Sequence, residues 1–130
     1  MENADGISTF HDMAKADFYS FFSAYFGERW DALRLALRGN SVYRTVRYPG
    51  KEPYFLDEAS CFAASSLGVE PGMDVLDMCA APGGKTLLLA GALAGKGSLQ
   101  SNDRSPDRRL RLSHNVENTL PENLASVIKV

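Results

Sequence analysis

The sequence is poor in cysteine, because only Cys61 and Cys79 among its 130 residues carry a thiol. A structural zinc site takes four ligands. The two histidines, His11 and His114, are scattered relative to the thiols and complete no metal-binding pattern. We therefore expect no metal site, and the low cysteine usage favours a reducing compartment.

The sequence also lacks a long hydrophobic run. Its longest, at residues 87–94, falls far short of the ~20 residues that a membrane-spanning helix needs. Residues 1–10 are acidic and contain no apolar stretch typical of a secretory signal. We therefore expect a soluble protein without membrane contact, in the cytoplasm, or in an organelle or the nucleolus if the source is eukaryotic.

No strong excess of charge is present: 14 Lys and Arg against 16 Asp and Glu give a net charge of −2. A nucleic-acid-binding protein is often strongly basic overall. The positive charges are nevertheless grouped, and two groups of basic residues could contact RNA phosphates. The first includes Arg34, Arg38, Arg44 and Arg47, and the second comprises Arg104, Arg108, Arg109 and Arg111. Charge runs are often only solvated helix faces, so both interpretations stay open.

Apolar residues at helical spacing predict two helices near the N-terminus. The first carries Ile7, Phe10, Ala14, Phe18, Phe21, Phe22 and Tyr25 and ends at Gly27; the second carries Trp30, Leu33 and Leu37 and ends at Gly39. The aromatic stripe could stack on bases, but at this spacing we favour a core. Residues 41–54 read as loop and a short strand.

A third helix is predicted to begin after Asp57, which is a suitable N-cap residue, and to run to about Leu67. Its inward face is predicted to consist of Ala59, Phe62, Ala63 and Leu67. Gly68 is well suited to follow the helix end.

From residue 73 onward the pattern becomes strand, loop, helix, strand, helix. Strands are predicted at residues 73–78 and 98–102, helices at 85–94 and 106–118, and the opening of a third strand at 126–130. Strands that alternate with helices indicate an α/β fold with a parallel sheet covered on both faces.

The loop between the first of these strands and its helix is rich in small residues. Ala80, Ala81, Gly83 and Gly84 would let a ligand approach the backbone closely. The N-terminus of the following helix would hold a carboxylate or a phosphate. The match to a phosphate-binding P-loop fails, because Cys79 stands where that motif requires its first glycine, and a nucleotide-hydrolysing P-loop protein is kept only as the least favoured alternative. The dinucleotide-binding glycine pattern is absent as well.

The second strand ends in Asn102 and Asp103. In a doubly wound sheet, an acidic residue at this place binds the hydroxyl groups of a ribose. Asp103 therefore favours an adenosine-containing ligand. A solvated aspartate that caps the next helix is the alternative, and the two roles are compatible.

Three segments together resemble one family. Residues 77–86, Asp-Met-Cys-Ala-Ala-Pro-Gly-Gly-Lys-Thr, resemble the cofactor motif of the NOL1/NOP2/Sun (RsmB-like) family of S-adenosylmethionine-dependent RNA 5-methylcytosine methyltransferases. Residues 102–108 and 54–60 are similar to segments of the same family. The resemblance covers roughly residues 54–118, and the first 50 residues match no identified family.

The resemblance implies a Rossmann-like class I methyltransferase fold that binds S-adenosyl-L-methionine. The loop residues Cys79, Ala80, Ala81, Pro82, Gly83, Gly84 and Lys85 would surround its methionine part. Asp103 would hold the ribose, Arg108 would lie near the cofactor or Asp103, and Asp77 would support the loop. Cys79 belongs to this loop and is not the catalytic nucleophile.

In this family a cysteine thiolate adds to cytosine C6 and so activates C5 for methylation. The family's two cysteines stand in Asp-x-Pro-Cys and Thr-Cys contexts, neither of which occurs here. We therefore expect the nucleophile beyond Val130 and no activity from the 130-residue chain alone.

The expected organisation is a helical segment at residues 1–53 and the incomplete first part of the methyltransferase domain at 54–130. We expect the complete enzyme to be a monomer that acts on RNA, with ribosomal RNA ahead of transfer RNA. A non-catalytic module that binds RNA or the cofactor is the alternative.

Overall fold

The structure, a computed structural model, describes residues 18–40 and 42–130. The chain forms two compact units, Met1–Asn40 and Ser41–Val130. The predicted helical positions Ile7, Phe10 and Ala14 lie outside the described residues. Within the described residues, no helix is both long and apolar enough to cross a bilayer.

The described part of the first unit consists of two short helices, α1 (Phe18–Phe26) and α2 (Trp30–Leu37), joined by a 3-10 turn at Gly27–Arg29. Gly27 adopts a φ of +56°, which ends α1 as predicted. Trp30 is buried, with four aromatic rings whose centroids lie 5.4–6.1 Å from its own. The aromatic stripe therefore packs mostly on itself, although Phe18 and Tyr25 remain exposed.

The second unit begins with an antiparallel hairpin of β1 (Tyr43–Val46) and β2 (Tyr54–Asp57). The sequence predicted one short strand within residues 41–54, so the second strand, β2, was not predicted. Gly50 turns the connection with a φ of +72°. Val46 and Leu56 are buried, so the hairpin contributes one apolar side to the core.

Helix α3 (Glu58–Ser65) follows β2 directly, and Asp57 caps it as predicted. The Asp57 Oδ1 atom accepts a hydrogen bond of 2.8 Å from the Ser60 N–H, and Oδ2 accepts one of 2.9 Å from the Ser60 hydroxyl. Gly68 adopts a φ of +61° just beyond the helix.

The predicted inward face of α3 is wrong. Phe62 is 76% exposed and Leu67 is 63% exposed, while Ala64 and, in part, Cys61 pack into the core. Ala59 and Ala63 are exposed as well. Almost every residue of this helix is small or apolar, so several faces satisfy the helical period equally well. Packing against the next helix selects the buried face, and the local sequence does not reveal that contact.

A three-stranded parallel sheet forms the rest of the unit, in the order β3 (Asp74–Asp77), β4 (Ser98–Ser101) and β5 (Ile128–Lys129). Helix α4 (Gly84–Leu93) connects β3 to β4, and α5 (Pro106–Thr119) with the one-turn α6 (Glu122–Ala125) connects β4 to β5. All the predicted elements of this region are confirmed to within two residues at each end. Only α6 was missed, because one helical turn is too short to show a period.

One face of this sheet is buried and the other is exposed. Leu99 packs with Leu87 and Leu93 of α4 and with Leu112 of α5, and all four are fully buried. On the opposite face Leu76 is 60% exposed beside the exposed Gln100. The prediction that helices cover both faces of the sheet is therefore wrong for the described residues. The adjacent apolar residues of β3 are typical of a strand buried on both sides, whereas the described helices cover only one.

The turn between α4 and β4 depends on Gly97. Its φ is +86°, and a Cβ atom there would overlap the carbonyl oxygen of Met73 and lie 2.9 Å from the carbonyl carbon of Gly72. Gly50 has a similar φ of +72°, but a Cβ atom on it would meet nothing within 4 Å. A comparison of Gly97 with Gly50 therefore separates the cost of backbone strain from the cost of steric overlap.

We predict that Gly97→Ala destabilises the chain far more than Gly50→Ala. Both variants incur the left-handed backbone strain of about 1–2 kcal/mol. Only Gly97→Ala must also displace backbone atoms, which adds about 1–3 kcal/mol. Urea unfolding followed by circular dichroism measures both, and equal losses would show that the close approach to Met73 has no energetic weight.

Candidate cofactor-binding site

The predicted cofactor loop, residues 79–85, follows β3 and includes the first two residues of α4. Its Ala80 and Ala81 are buried, and the Ala80 N–H donates to the Asn102 carbonyl over 2.9 Å. Gly83 has a φ of +121° and supplies no side-chain cap to α4. The first N–H groups of α4 are therefore available to an anionic ligand.

Helix α5 holds this loop from one side. The Arg108 Nη2 atom donates to the Ala81 carbonyl over 2.6 Å, and the Asn115 Nδ2 atom donates to the Pro82 carbonyl over 2.7 Å. Between them, Leu112 lies against Gly83. These three residues share one face of α5, because they are four and then three positions apart. Sequence reasoning missed Asn115, although its helical spacing from Arg108 was a usable signal.

Asp103 lies next to this contact and is only 4% exposed. Its Oδ1 atom accepts a 3.1 Å hydrogen bond from the Ser105 N–H, and its Oδ2 atom lies 3.4 Å from the Arg108 Nη2 atom. The alternative prediction for Asp103, a solvated carboxylate that caps α5, is therefore wrong. The carboxylate is buried, and Ser105 is the N-cap residue. A carboxylate has about four acceptor positions, so two remain for other donors.

Asp77 supports the loop, as predicted. Its Oδ2 atom accepts a 2.9 Å hydrogen bond from the hydroxyl of the buried Thr86, and its carbonyl accepts one of 2.8 Å from the Asn102 N–H. The end of β3 is thereby tied both to α4 and to the segment after β4.

A cleft of about 230 Å³ separates the loop from the β1–β2 hairpin. We call it the hairpin cleft. Its lining is Tyr43, Tyr54, Phe55, Leu56, Asp57, Ser60, Ala80, Ala81, Pro82, Gly84 and Lys85. It therefore carries one carboxylate and one ammonium group beside an apolar wall. Sequence reasoning placed Lys85 here but assigned Asp57 only as a helix cap.

The carboxyl group of Asp57 is ionised at neutral pH. The hydrogen bonds that it accepts from the Ser60 N–H and then from the Ser60 hydroxyl hold its pKa below the usual value. Burial raises the pKa of the neighbouring Tyr54, so that phenol stays neutral. The charges in this cleft are therefore those of Asp57 and Lys85.

The cysteines show no catalytic arrangement. Cys79 is exposed in the loop, Cys61 is half-buried, and both are free thiols. Within residues 18–40 and 42–130, no group of three or more His, Cys, Asp or Glu side chains is placed to hold a metal ion.

The four arginines predicted to contact RNA divide between the two units. Arg34 pairs with Asp31 at 3.5 Å, and Arg44 pairs with Glu58 at 2.8 Å. Arg38 and Arg47 are exposed and form no ion pair among the described residues. Arg47 and Lys51 also line an open groove at the hairpin turn.

Comparisons with known proteins support the family resemblance that the loop sequence carries. The family described as "16S rRNA methyltransferase RsmB/F" matches residues 64–130. The 5-cytosine rRNA methyltransferase NSUN4 of Bos taurus is 41% identical over 71 residues, which are 55% of this chain and 18% of that protein. A mitochondrial tRNA (cytosine(34)-C(5))-methyltransferase of Mus musculus is 39% identical over 80 residues, which are 62% of this chain and 23% of that protein.

The chain thus spans about a fifth of the length of these relatives. Among solved structures it is similar to the crystal structure of PH0851, with a TM-score of 0.64, 18% identity, and coverage of 99% of this chain and 39% of that one. This likeness shows the fold alone. The match over residues 64–130 covers half of the chain and includes the whole cofactor loop. The chain therefore belongs to the RsmB/F methyltransferase family, which confirms the resemblance of its loop to the NOL1/NOP2/Sun enzymes.

Proposed function

We propose that this chain is the S-adenosylmethionine-binding part of an RNA cytosine-C5 methyltransferase. The observation that carries the proposal is the contact of Arg108 with both the loop carbonyl of Ala81 and the buried carboxylate of Asp103. It joins the two segments that such a cofactor needs, a small-residue loop and an acidic residue after the second strand. The names of the relatives supply the reaction class.

The residues present fit this cofactor. Cys79, Ala80, Ala81, Pro82, Gly83, Gly84 and Lys85 would hold its methionine part, with the α4 N-terminus facing its carboxylate. Asp103 would accept hydrogen bonds from the ribose hydroxyls, and Arg108 would fix Asp103 and the loop in place. When bound, the cofactor supplies an activated methyl group on its sulfonium.

The proposed substrate is RNA, with ribosomal RNA ahead of transfer RNA. Relatives named for ribosomal RNA and for transfer RNA both match the chain, so they support the class of substrate more than the particular molecule. Of the four arginines predicted to contact RNA, Arg38 and Arg47 are the better placed for phosphates, because both are exposed and neither forms an ion pair among the described residues.

Replacing Asp103 with alanine should weaken adenosyl binding. Loss of hydrogen bonds to a charged group costs about 1–3 kcal/mol, roughly five- to 150-fold in affinity. Isothermal titration of S-adenosylhomocysteine into the chain measures the change, and ATP should not compete. Asp107→Ala is the matched control, because it removes an exposed carboxylate one turn away. An affinity equal to that of the wild type would refute the ribose assignment.

Charge reversal should separate the RNA-contacting arginines from the merely solvated ones. Arg38→Glu and Arg47→Glu should weaken RNA binding and lower its salt dependence by about one counterion per lost phosphate contact. Arg34→Glu and Arg44→Glu should have smaller effects, because their guanidinium groups already pair with acidic residues. Fluorescence anisotropy of a labelled RNA stem-loop at several salt concentrations tests this. An unchanged salt dependence in all four variants would exclude this basic stretch as the RNA contact.

A further inference from the structure

We infer that one strand of the substrate RNA lies along helix α5, between a pocket beside the cofactor loop and the groove at the hairpin turn. Arg111 holds a phosphate at the first place, and Lys51 holds one at the second. The inference rests on the proposed function and names a surface through which this part of the enzyme contacts its substrate.

The pocket beside the cofactor loop has a volume of about 150 Å³ and is lined by Ala81, Pro82, Arg108 and Arg111. We call it the loop pocket. Arg108 is engaged by the Ala81 carbonyl and by Asp103. Arg111 is exposed, and its guanidinium group forms no ion pair or hydrogen bond within the described residues. Its five N–H donors are therefore free for an anion, and the volume is several times the ~30 Å³ share of one water molecule.

The groove at the hairpin turn has a volume of about 640 Å³. We call it the turn groove, and its lining is Arg47, Tyr48, Pro49, Gly50, Lys51 and Pro53. The Lys51 Nζ atom donates one hydrogen bond of 2.6 Å to the Glu117 carbonyl. An ammonium group has three donors, so two remain for a ligand. A basic groove that also contains an aromatic ring is typical of sites for single-stranded nucleic acid.

Helix α5 fixes the loop pocket and the turn groove relative to each other. The Lys51 side chain binds the Glu117 carbonyl, and the Glu52 N–H donates to the Asn118 carbonyl over 2.9 Å. The hairpin turn is therefore attached to the C-terminal end of the helix. Arg111 and Asn118 are seven positions apart, so they share one face and are separated by about 10 Å along the axis. A strand of a few nucleotides covers this distance.

The charges along this face select a polyanion. Every charged side chain that lines the loop pocket or the turn groove is basic, although the chain as a whole has a net charge of −2. Asp107 and Glu117 are exposed on the same helix but line neither place. A single phosphate ion would occupy one place only, whereas the regularly spaced phosphates of an RNA strand meet both at once. Such contacts position the strand and read no base.

Lys51 also has a structural role that the experiment must separate from RNA binding. An ammonium group beside the last carbonyls of a helix stabilises that end. Lys51→Met should therefore lower the free energy of unfolding. Arg111→Gln should leave it unchanged, because the Arg111 guanidinium has no partner within the described residues. Loss of the helix cap does not alter the salt dependence of RNA binding, so that quantity is the decisive measurement.

Fluorescence anisotropy of a labelled oligocytidylate at several salt concentrations tests the inference on the 130-residue chain. Arg111→Gln and Lys51→Met should each weaken RNA binding by up to about fivefold, the loss of one exposed ion pair. Each should also lower the slope of log affinity against log salt by about 0.7, the value for one phosphate contact of a single strand. The double variant should show both losses together, because the two sites are well separated.

Two controls accompany this measurement. Lys96→Gln removes an exposed positive charge from the turn before β4, at the opposite edge of the sheet from the cofactor loop. It should leave the slope unchanged. Isothermal titration should show that Arg111→Gln and Lys51→Met bind S-adenosylhomocysteine as the wild type does, because neither residue is assigned to the cofactor.

The inference fails if either Arg111→Gln or Lys51→Met keeps the wild-type slope, or if Lys96→Gln lowers it equally. It also fails if polyglutamate displaces the labelled RNA as well as unlabelled RNA does, because the face would then bind any polyanion. These results would leave the proposed function standing. A wild-type chain that binds S-adenosylhomocysteine but no RNA would overturn the inference and keep the cofactor assignment, and one that binds neither would refute the proposed function as well.

Discussion

The site depends on one guanidinium group. Arg108 binds the carbonyl of Ala81 and the carboxylate of Asp103, which belong to segments that follow different strands. The Ala81 backbone is buried, so its carbonyl would lack a partner without this contact, at a cost of about 1–3 kcal/mol. Only arginine has several donors in a fixed plane to serve two acceptors at once, and a lysine would contact them as a single point charge.

The backbone reinforces this contact. The Asn102 N–H donates to the Asp77 carbonyl, and the Asn102 carbonyl accepts from the Ala80 N–H. The segments after β3 and β4 are therefore joined along their length as well as through Arg108. Parallel strands bring their carboxyl ends to one edge of the sheet, and this edge is where such folds bind their ligands.

The parts of the fold that the sequence predicts well are those with local signals. Strands β3 and β4 and helices α4 and α5 are bounded by glycine, proline or a cap residue, as with Gly83, Ser105 and Pro106. The inward face of α3 and the exposure of Leu76 depend on which neighbours are packed against them, so the local pattern misassigned both. The same limit applies to the site. Its loop and Asp103 stand in recognisable motifs, whereas the roles of Asn115 and Asp57 arise only when distant segments meet.

Packing within the protein accounts for the two glycines of the loop, Gly83 and Gly84. A Cβ atom on Gly83 would lie 3.2 Å from the Leu112 side chain, in a backbone conformation that other residues rarely adopt, and one on Gly84 would lie 3.3 Å from the Tyr54 ring. Helix α5 and the hairpin thus crowd the loop from both sides, whether or not a ligand is bound. Small residues at these positions therefore do not distinguish between the anions that such a loop could bind. Discrimination between a phosphate and an amino acid must come from the charged side chains around the loop.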